Sequence, residues 1–279
     1  MFAIALGLAA SLSWGVADFF GGIQSRRMPV VAVVLGSQLA GLVLVVSIVA
    51  VRGEGLPGGD FVFYAALSSI AGITGLMAFY HALSIGSMGV VAPLSSCAAA
   101  IPLVVGLATG DRPSTLQGAG VVIAIVGVLM ASREATEHGG AAVAKGAGFA
   151  LVSAVGFGCF FLAIDKASDT DVLWAVCVNR TVSVALLGLA VLVVRPKLGL
   201  QPKDMRTLAI VGVLDILANG FFALAATKGL VSVVAVLASL YPVVTVILAR
   251  VVLKERLRTI QRVGAALALA GAALISAAG

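Results

Sequence analysis

Three ionisable residues lie deep inside long apolar segments of the chain: Asp18, Arg180 and Asp215. A charged side chain inside a membrane helix costs at least about 2.5 kcal/mol, so each needs a partner or a wet cavity. One hypothesis assigns Arg180 to a substrate carboxylate, and Asp215 or Asp18 to an amine or a proton. The other pairs Arg180 with Asp215 as an ion pair that ties neighbouring helices together. We favour the substrate role, because the planar guanidinium fork of Arg180 suits a carboxylate. Both hypotheses are compatible if the ion pair opens when substrate binds.

Aromatic and polar residues continue these faces along the predicted helices. Trp14 precedes Asp18 by four residues and Asn219 follows Asp215 by four, a spacing that places both members of each pair on one helix face. Trp14 inside a span suits stacking on a ring or a cation, and it suits core filling equally well. The predicted substrate-binding residues are Trp14, Asp18, Gln38, Tyr80, Ser96, Arg180, Asp215, Asn219 and Tyr241.

Two prolines mark predicted hinges. Pro93 and Pro242 lie within apolar segments, and proline removes an N–H donor and clashes with the preceding turn. We therefore predict helices that are bent at or near both prolines, as the discontinuous helices of membrane carriers are.

Composition identifies a polytopic membrane protein. Of 279 residues, 61% are hydrophobic and 11% are charged, with a mean hydropathy of +1.16, whereas soluble domains carry about 25% charged residues. The basic residues behind the net charge of +6 lie between the apolar segments, where membrane orientation and anionic lipids explain them better than nucleic acid does. The three cysteines have no metal spacing and are predicted to be small buried residues.

Charge-free or nearly charge-free segments predict ten membrane helices, since about 20 residues cross the hydrocarbon core. The predicted helices span residues 2–22, 29–51, 61–83, 87–109, 115–132, 146–165, 171–194, 206–227, 230–251 and 259–277. The fold class is therefore all-α and integral to the membrane.

The chain also matches itself in two halves. Phe79, Gly86, Val90 and Ser96 correspond to Phe222, Gly229, Val233 and Ser239, which lie 143 residues later. We predict a first five-helix repeat at 1–133, a connecting loop at 134–145 and a second repeat at 146–279. Because five is odd, the second half enters the membrane in the opposite orientation, an arrangement that places a substrate site between the halves.

The last two predicted helices carry a recognisable pattern. It consists of Tyr241 and Pro242 in the first helix, Lys254, Glu255 and Arg256 in the connector, and Gln261, Gly264 and Gly271 in the second helix. This pattern resembles the EamA family of the drug/metabolite transporter superfamily, and Ser13-Trp14-Gly15 is similar to the usual first helix of that family. The resemblance implies a carrier with a central cavity between its halves. Lys254 departs from the family pattern, in which glycine is common at that position.

Two orientations remain open. Thirteen basic residues lie in one set of connections and four in the other, which predicts the first set in the cytoplasm and both termini outside. The family resemblance instead implies that both termini face the cytoplasm.

The sequence favours transport over catalysis. It contains no HExxH, GxSxG or phosphate-binding loop, so we predict neither an enzyme nor a cofactor or metal site. We predict a secondary transporter of the bacterial inner membrane that exports amino acids or related zwitterions by alternating access. Alternatives are an uptake carrier, a multidrug or cation exporter of the same fold, and a non-transport membrane sensor. The predicted partners are a small-molecule substrate and the lipid bilayer, while proton coupling and oligomeric state stay open.

Overall fold

The computed structural model describes residues 1–85, 88–131 and 140–252, with short pieces between 259 and 274. Every element in these ranges is helical. In chain order they are α1 (Phe2–Ser25), α2 (Val30–Arg52), α3 (Phe61–Ile85), α4 (Met88–Ser96), a 3-10 turn (Cys97–Ala99), α5 (Ala100–Thr109), α6 (Thr115–Ala131), α7 (Gly140–Ser168), α8 (Val172–Val194), α9 (Pro202–Ala226), α10 (Val231–Ala238) and α11 (Tyr241–Val252).

Six helices in the described ranges are long and apolar enough to cross a membrane: α1, α2, α3, α8, α9 and the part of α7 from Gly148. Shorter apolar helices span Leu94–Thr109, Thr115–Gly127 and Val231–Thr245. The chain is therefore an all-helical, multi-pass membrane protein. The count of ten helices stays a prediction, because the connector at 253–258 and most of the predicted last helix lie outside the described residues.

Polar capping residues set the starts of two helices. The backbone N–H of Gln201 donates to the Asp204 carboxylate at 3.1 Å, which starts α9 at Pro202, four residues before the predicted 206. Asp171 caps α8 by accepting from the backbone N–H of Trp174 at 2.8 Å. The α9 helix begins with the charged residues Lys203, Asp204 and Arg206, so a criterion based on apolar segments starts it late, whereas the start of α8 agrees with the prediction to one residue.

Two predicted helices are interrupted near their middles. The fourth predicted helix changes to a 3-10 turn at Cys97–Ala99, and the ninth stops at Ala238 and resumes at Tyr241. Pro242 is the second residue of α11, where the missing N–H breaks no helical hydrogen bond. Pro93 lies inside α4, four residues before Cys97, so that interruption falls after the proline rather than at it.

Glycines allow one very close helix crossing, between α3 and α7. A Cβ atom at Gly156 would lie 2.7 Å from the Gly75 Cα, and one at Gly75 would lie 2.8 Å from the Phe157 ring. The two backbones are therefore in direct contact, as small residues permit between membrane helices. This contact fixes the position of the aromatic residues that follow Gly156 on α7.

Ionic and polar contacts join helix ends. Arg52 at the end of α2 pairs with Asp171 at the start of α8, with 2.8 Å between Nη1 and Oδ2. The Ser232 hydroxyl donates to Asp111 at 2.6 Å, and Arg26 donates to the Leu83 carbonyl oxygen at 3.3 Å. These contacts join helices that are distant in sequence: α2 with α8, the end of α5 with α10, and α1 with α3.

The cysteine prediction was wrong for two of three residues. Cys177 is buried, but Cys97 and Cys159 are exposed on the helical surface. Large apolar residues are exposed in the same way, for example Leu192 at 72%. In a bilayer, an apolar side chain is about as stable in the protein core as it is against lipid. Apolar sequence alone therefore does not distinguish core positions from lipid-facing ones.

Candidate functional site

A cavity of about 60 Å³ lies near the middle of the long helices. One water molecule takes about 10–15 Å³ of such volume, so the cavity has room for several waters or a small polar group. Asp215 on its wall is the fourteenth of the 25 residues of α9. The cavity is lined by Trp14, Asp18, Gln38, Ser69, Gly72, Ile73, Leu76, Phe157, Phe160, Phe161, Asn179, Arg180, Ser183, Asp215, Asn219 and Tyr241. Seven of the nine predicted binding residues are in this set.

Asp215 is the centre of a hydrogen-bonded network. Its carboxylate accepts from Arg180 Nη2 at 2.7 Å, from Trp14 Nε1 at 3.1 Å and from Asn219 Nδ2 at 3.3 Å. These donors come from α8, α1 and α9. A carboxylate that accepts three hydrogen bonds, one from a cation, is well compensated for its burial. The predicted ion pair between Arg180 and Asp215 is therefore present.

Arg180 is held tightly by its surroundings. Its side chain is 2% exposed, and a Cβ atom at Gly41 would lie 3.4 Å from Nε. Nε has no hydrogen-bond partner among the described residues. The guanidinium fork to which we assigned a substrate carboxylate is therefore partly occupied, because Nη2 is bound to Asp215.

Asp18 lines the same cavity as Asp215 but differs from it in its hydrogen bonding. It is 7% exposed and lines the cavity, yet it forms no hydrogen bond or ion pair with any residue the structure describes. Gln38 also lines the cavity without a partner in those ranges, and the buried Tyr241 hydroxyl has none there either. Three polar side chains thus line the cavity without a hydrogen-bond partner among the residues that the structure describes.

Aromatic side chains from α7 form the other side of the cavity. Phe160 and Phe161 pack against Trp14, with ring centroids 6.4 and 5.8 Å apart, and Phe161 stacks on Phe222 at 4.5 Å. Phe157 lies one turn earlier on the same helix face. The sequence analysis missed these phenylalanines as lining residues, although their i, i+3, i+4 spacing is a signal of a shared face.

Small polar residues between α3 and α8 were missed as well. The hydroxyls of Ser69 and Ser183 are 2.9 Å apart, and Asn179 Nδ2 donates to the Ser68 hydroxyl at 2.8 Å. Three of the four line the cavity. The two hydrogen bonds join α3 to α8 and stabilise this part of the wall.

Two predicted binding residues lie outside the cavity lining. Tyr80 is buried beside Phe79, with ring centroids 5.9 Å apart, and its hydroxyl occupies the space next to Gly21. Ser96 lines a second cavity of about 70 Å³, at the helix interruptions, together with Ser239 and Leu240. Both residues were predicted to bind substrate because they are polar. Their polarity does not reveal how the helix is rotated, and that rotation directs both side chains away from the central cavity.

Comparison with known proteins agrees with this architecture. Residues 1–133 and 144–277 each match the model of the EamA-like transporter family. An uncharacterized protein of Methanocaldococcus jannaschii is 26% identical over 131 residues, which are 47% of this chain and 96% of that relative. A solved crystal structure covers 98% of this chain and 95% of its own, with a TM-score of 0.80 and 16% identity, and this likeness shows the fold alone.

The matched segments and the apolar helices define the class as a multi-pass membrane transporter of the drug/metabolite type. Since the two segments cover far more than half of the 279 residues, the chain belongs to the EamA-like transporter family. That family consists of transporters and not of enzymes.

Proposed function

We propose that this protein is a secondary transporter that exports amino acids or related zwitterions across a bacterial inner membrane by alternating access. The observation that carries the proposal is the central cavity with its charged and aromatic lining, whose walls come from α1, α2 and α3 of the first matched segment and α7, α8, α9 and α11 of the second. A site with buried charges between two halves suits a carrier that opens to each side in turn.

The two halves are proposed to be inverted five-helix repeats. The family model matches the chain twice. The helices that precede the two interruptions, α4 and α10, end at Ser96 and Ala238, 142 residues apart (238 − 96), within one residue of the offset of the sequence matches. Discontinuous helices at equivalent positions are a feature of carriers built from such repeats. The half-length archaeal relative fits a single repeat unit.

A zwitterionic substrate fits the charges around the cavity. Asp18 offers an amine a carboxylate that has no partner among the described residues, and Arg180, whose Nη2 is bound to Asp215, supplies the positive charge of the same cavity. The volume of about 60 Å³ favours a small substrate over the drug-sized ligands that occupy pockets of about 300–1,000 Å³.

Counterflow into proteoliposomes tests the transport proposal. Vesicles containing the purified protein and preloaded with unlabelled amino acid are given a trace of the labelled compound, with and without a pH gradient. A carrier accelerates uptake of label when substrate is present on the far side, whereas a pore does not. The absence of such acceleration for every amino acid in the panel would contradict the proposal, and protein-free vesicles provide the control.

The charge asymmetry predicts that the region around Gly139 and the connector at Lys254 face the cytoplasm. A single cysteine at position 139, with Cys97, Cys159 and Cys177 replaced by serine, should resist an impermeant thiol reagent in intact cells and react after lysis. Ready labelling of intact cells would contradict the predicted orientation and favour cytoplasmic termini.

A further inference from the structure

We infer that Asp18 binds the ammonium group of the substrate, and that the site recognises small primary amines with or without a carboxylate. The inference rests on the proposed function, because it takes the central cavity as the site where substrate binds. It makes Asp18 the main binding residue for the substrate charge, whereas a site built around Arg180 would bind a substrate carboxylate.

The charges around the cavity do not balance. Two carboxylates, Asp18 and Asp215, and one guanidinium, Arg180, line it. The guanidinium is bound to Asp215 at 2.7 Å. Asp18 is 7% exposed and has no cationic partner in the described ranges. A buried carboxylate without a partner is costly, and a cation that enters the cavity compensates it.

Other polar groups that line the same cavity also lack partners among the described residues. An ammonium group carries three N–H donors and no acceptor. The cavity offers acceptors in the Asp18 carboxylate, the Gln38 amide oxygen and the Tyr241 hydroxyl, each without a partner in the part of the chain that the structure describes. The chemistry of a primary ammonium matches this set, and no described residue donates a hydrogen bond to it.

Aromatic residues complete the environment of the cation. Trp14, Tyr241, Phe157, Phe160 and Phe161 line the same cavity. Aromatic rings attract cations through their quadrupole, and they do so more strongly where water is excluded. A carboxylate gains nothing from these rings and would meet the negative charge of Asp18.

A substrate carboxylate is therefore dispensable for binding. It would have to compete with Asp215 for Arg180, which is already bound at 2.7 Å and is almost fully buried. We expect ethylamine and alanine to bind, and propionate and N-acetylalanine, which lack the ammonium, to bind much more weakly.

Calorimetric titration of the purified protein in detergent tests this with those four compounds. Binding of both amines, with at least about tenfold weaker binding of the two compounds without an ammonium, supports the inference. Asp18→Asn should weaken amine binding by at least about tenfold, and Tyr241→Phe should weaken it by a smaller factor. Asp169→Asn is the matched control, because Asp169 is exposed and pairs with Lys166, and it should leave binding unchanged.

Other results would overturn the inference. Equal binding of propionate or N-acetylalanine, unchanged amine affinity in a folded Asp18→Asn protein, or no binding of either amine would each do so. The titration involves no flux, so it separates this inference from the transport proposal. Amine binding without counterflow would support the inference and contradict the transport proposal. Counterflow that is unaffected by Asp18→Asn would support transport and contradict the inference.

Discussion

The two walls of the cavity are built on different principles. The charged wall comprises Asp18, Arg180, Asp215 and Asn219 from α1, α8 and α9, and it is held by hydrogen bonds of 2.7–3.3 Å. The apolar wall comprises the phenylalanines of α7 and the facing part of α3, and it is held by the contact of Gly75 with Gly156. In our proposal the charged wall binds the substrate, whereas the apolar wall sets the shape of the cavity.

A second contrast lies inside the charged wall. Asp215 accepts from three donors, but Asp18 accepts from none in the described residues. The two residues are chemically identical, so their surroundings alone distinguish a structural carboxylate from one that is free for a ligand. Substitutions on the two walls should therefore differ in the size of the stability loss, and substitutions of the two aspartates should differ in sign.

The largest effect is expected from removing the cation of the charged wall. Arg180→Ala leaves the Asp215 carboxylate buried without its cation, and breaking a buried pair in this way costs about 3–5 kcal/mol. The melting temperature in detergent should fall sharply. Arg180→Ala combined with Asp215→Ala should recover much of the folding and the transport of amines.

A single variant as stable as the parent would show that the pair is not a structural tie. A well-folded double variant that transports nothing would restore Arg180 to a direct role in binding substrate.

An intermediate effect is expected on the apolar wall. Gly156→Ala places a methyl group 2.7 Å from the Gly75 Cα, and overpacking of this kind costs about 1–3 kcal/mol. Gly148→Ala is the matched control on the same helix, because no atom lies within 4 Å of its added Cβ. Thermal unfolding should show a loss for the first variant and no loss for the second. Equal behaviour of the two would contradict the close crossing.

The smallest effect, opposite in sign, is expected at Asp18. Asp18→Asn removes a buried charge that has no partner among the described residues, so the melting temperature should stay level or rise. Asp215→Asn should lower it, because Arg180 then loses its carboxylate. Thermal unfolding of both variants measures the difference, and a clear loss of stability in Asp18→Asn would indicate a protein partner for that carboxylate.

Sequence reasoning reached the charged wall because charges in apolar segments are rare and need an explanation. It identified the pair of Arg180 and Asp215 as one of two hypotheses, and it placed Trp14 on the correct face. It did not reach Phe157, since a phenylalanine in a membrane helix fits lipid, core and cavity equally well. It included Tyr80, whose polarity suggested a site, although packing beside Gly21 directs it elsewhere.

Fluorescence of Trp14 tests the central claim most directly, because Trp14 donates to Asp215 and lies in the cavity. The chain has two tryptophans, Trp14 and Trp174, so Trp174→Phe leaves Trp14 as the only reporter. Titration with alanine or ethylamine should change this signal saturably, and adding Asp18→Asn should remove the change. A signal that does not respond to amines that the same protein transports, or that responds equally without the Asp18 carboxylate, would contradict binding of the amine at Asp18 in the central cavity.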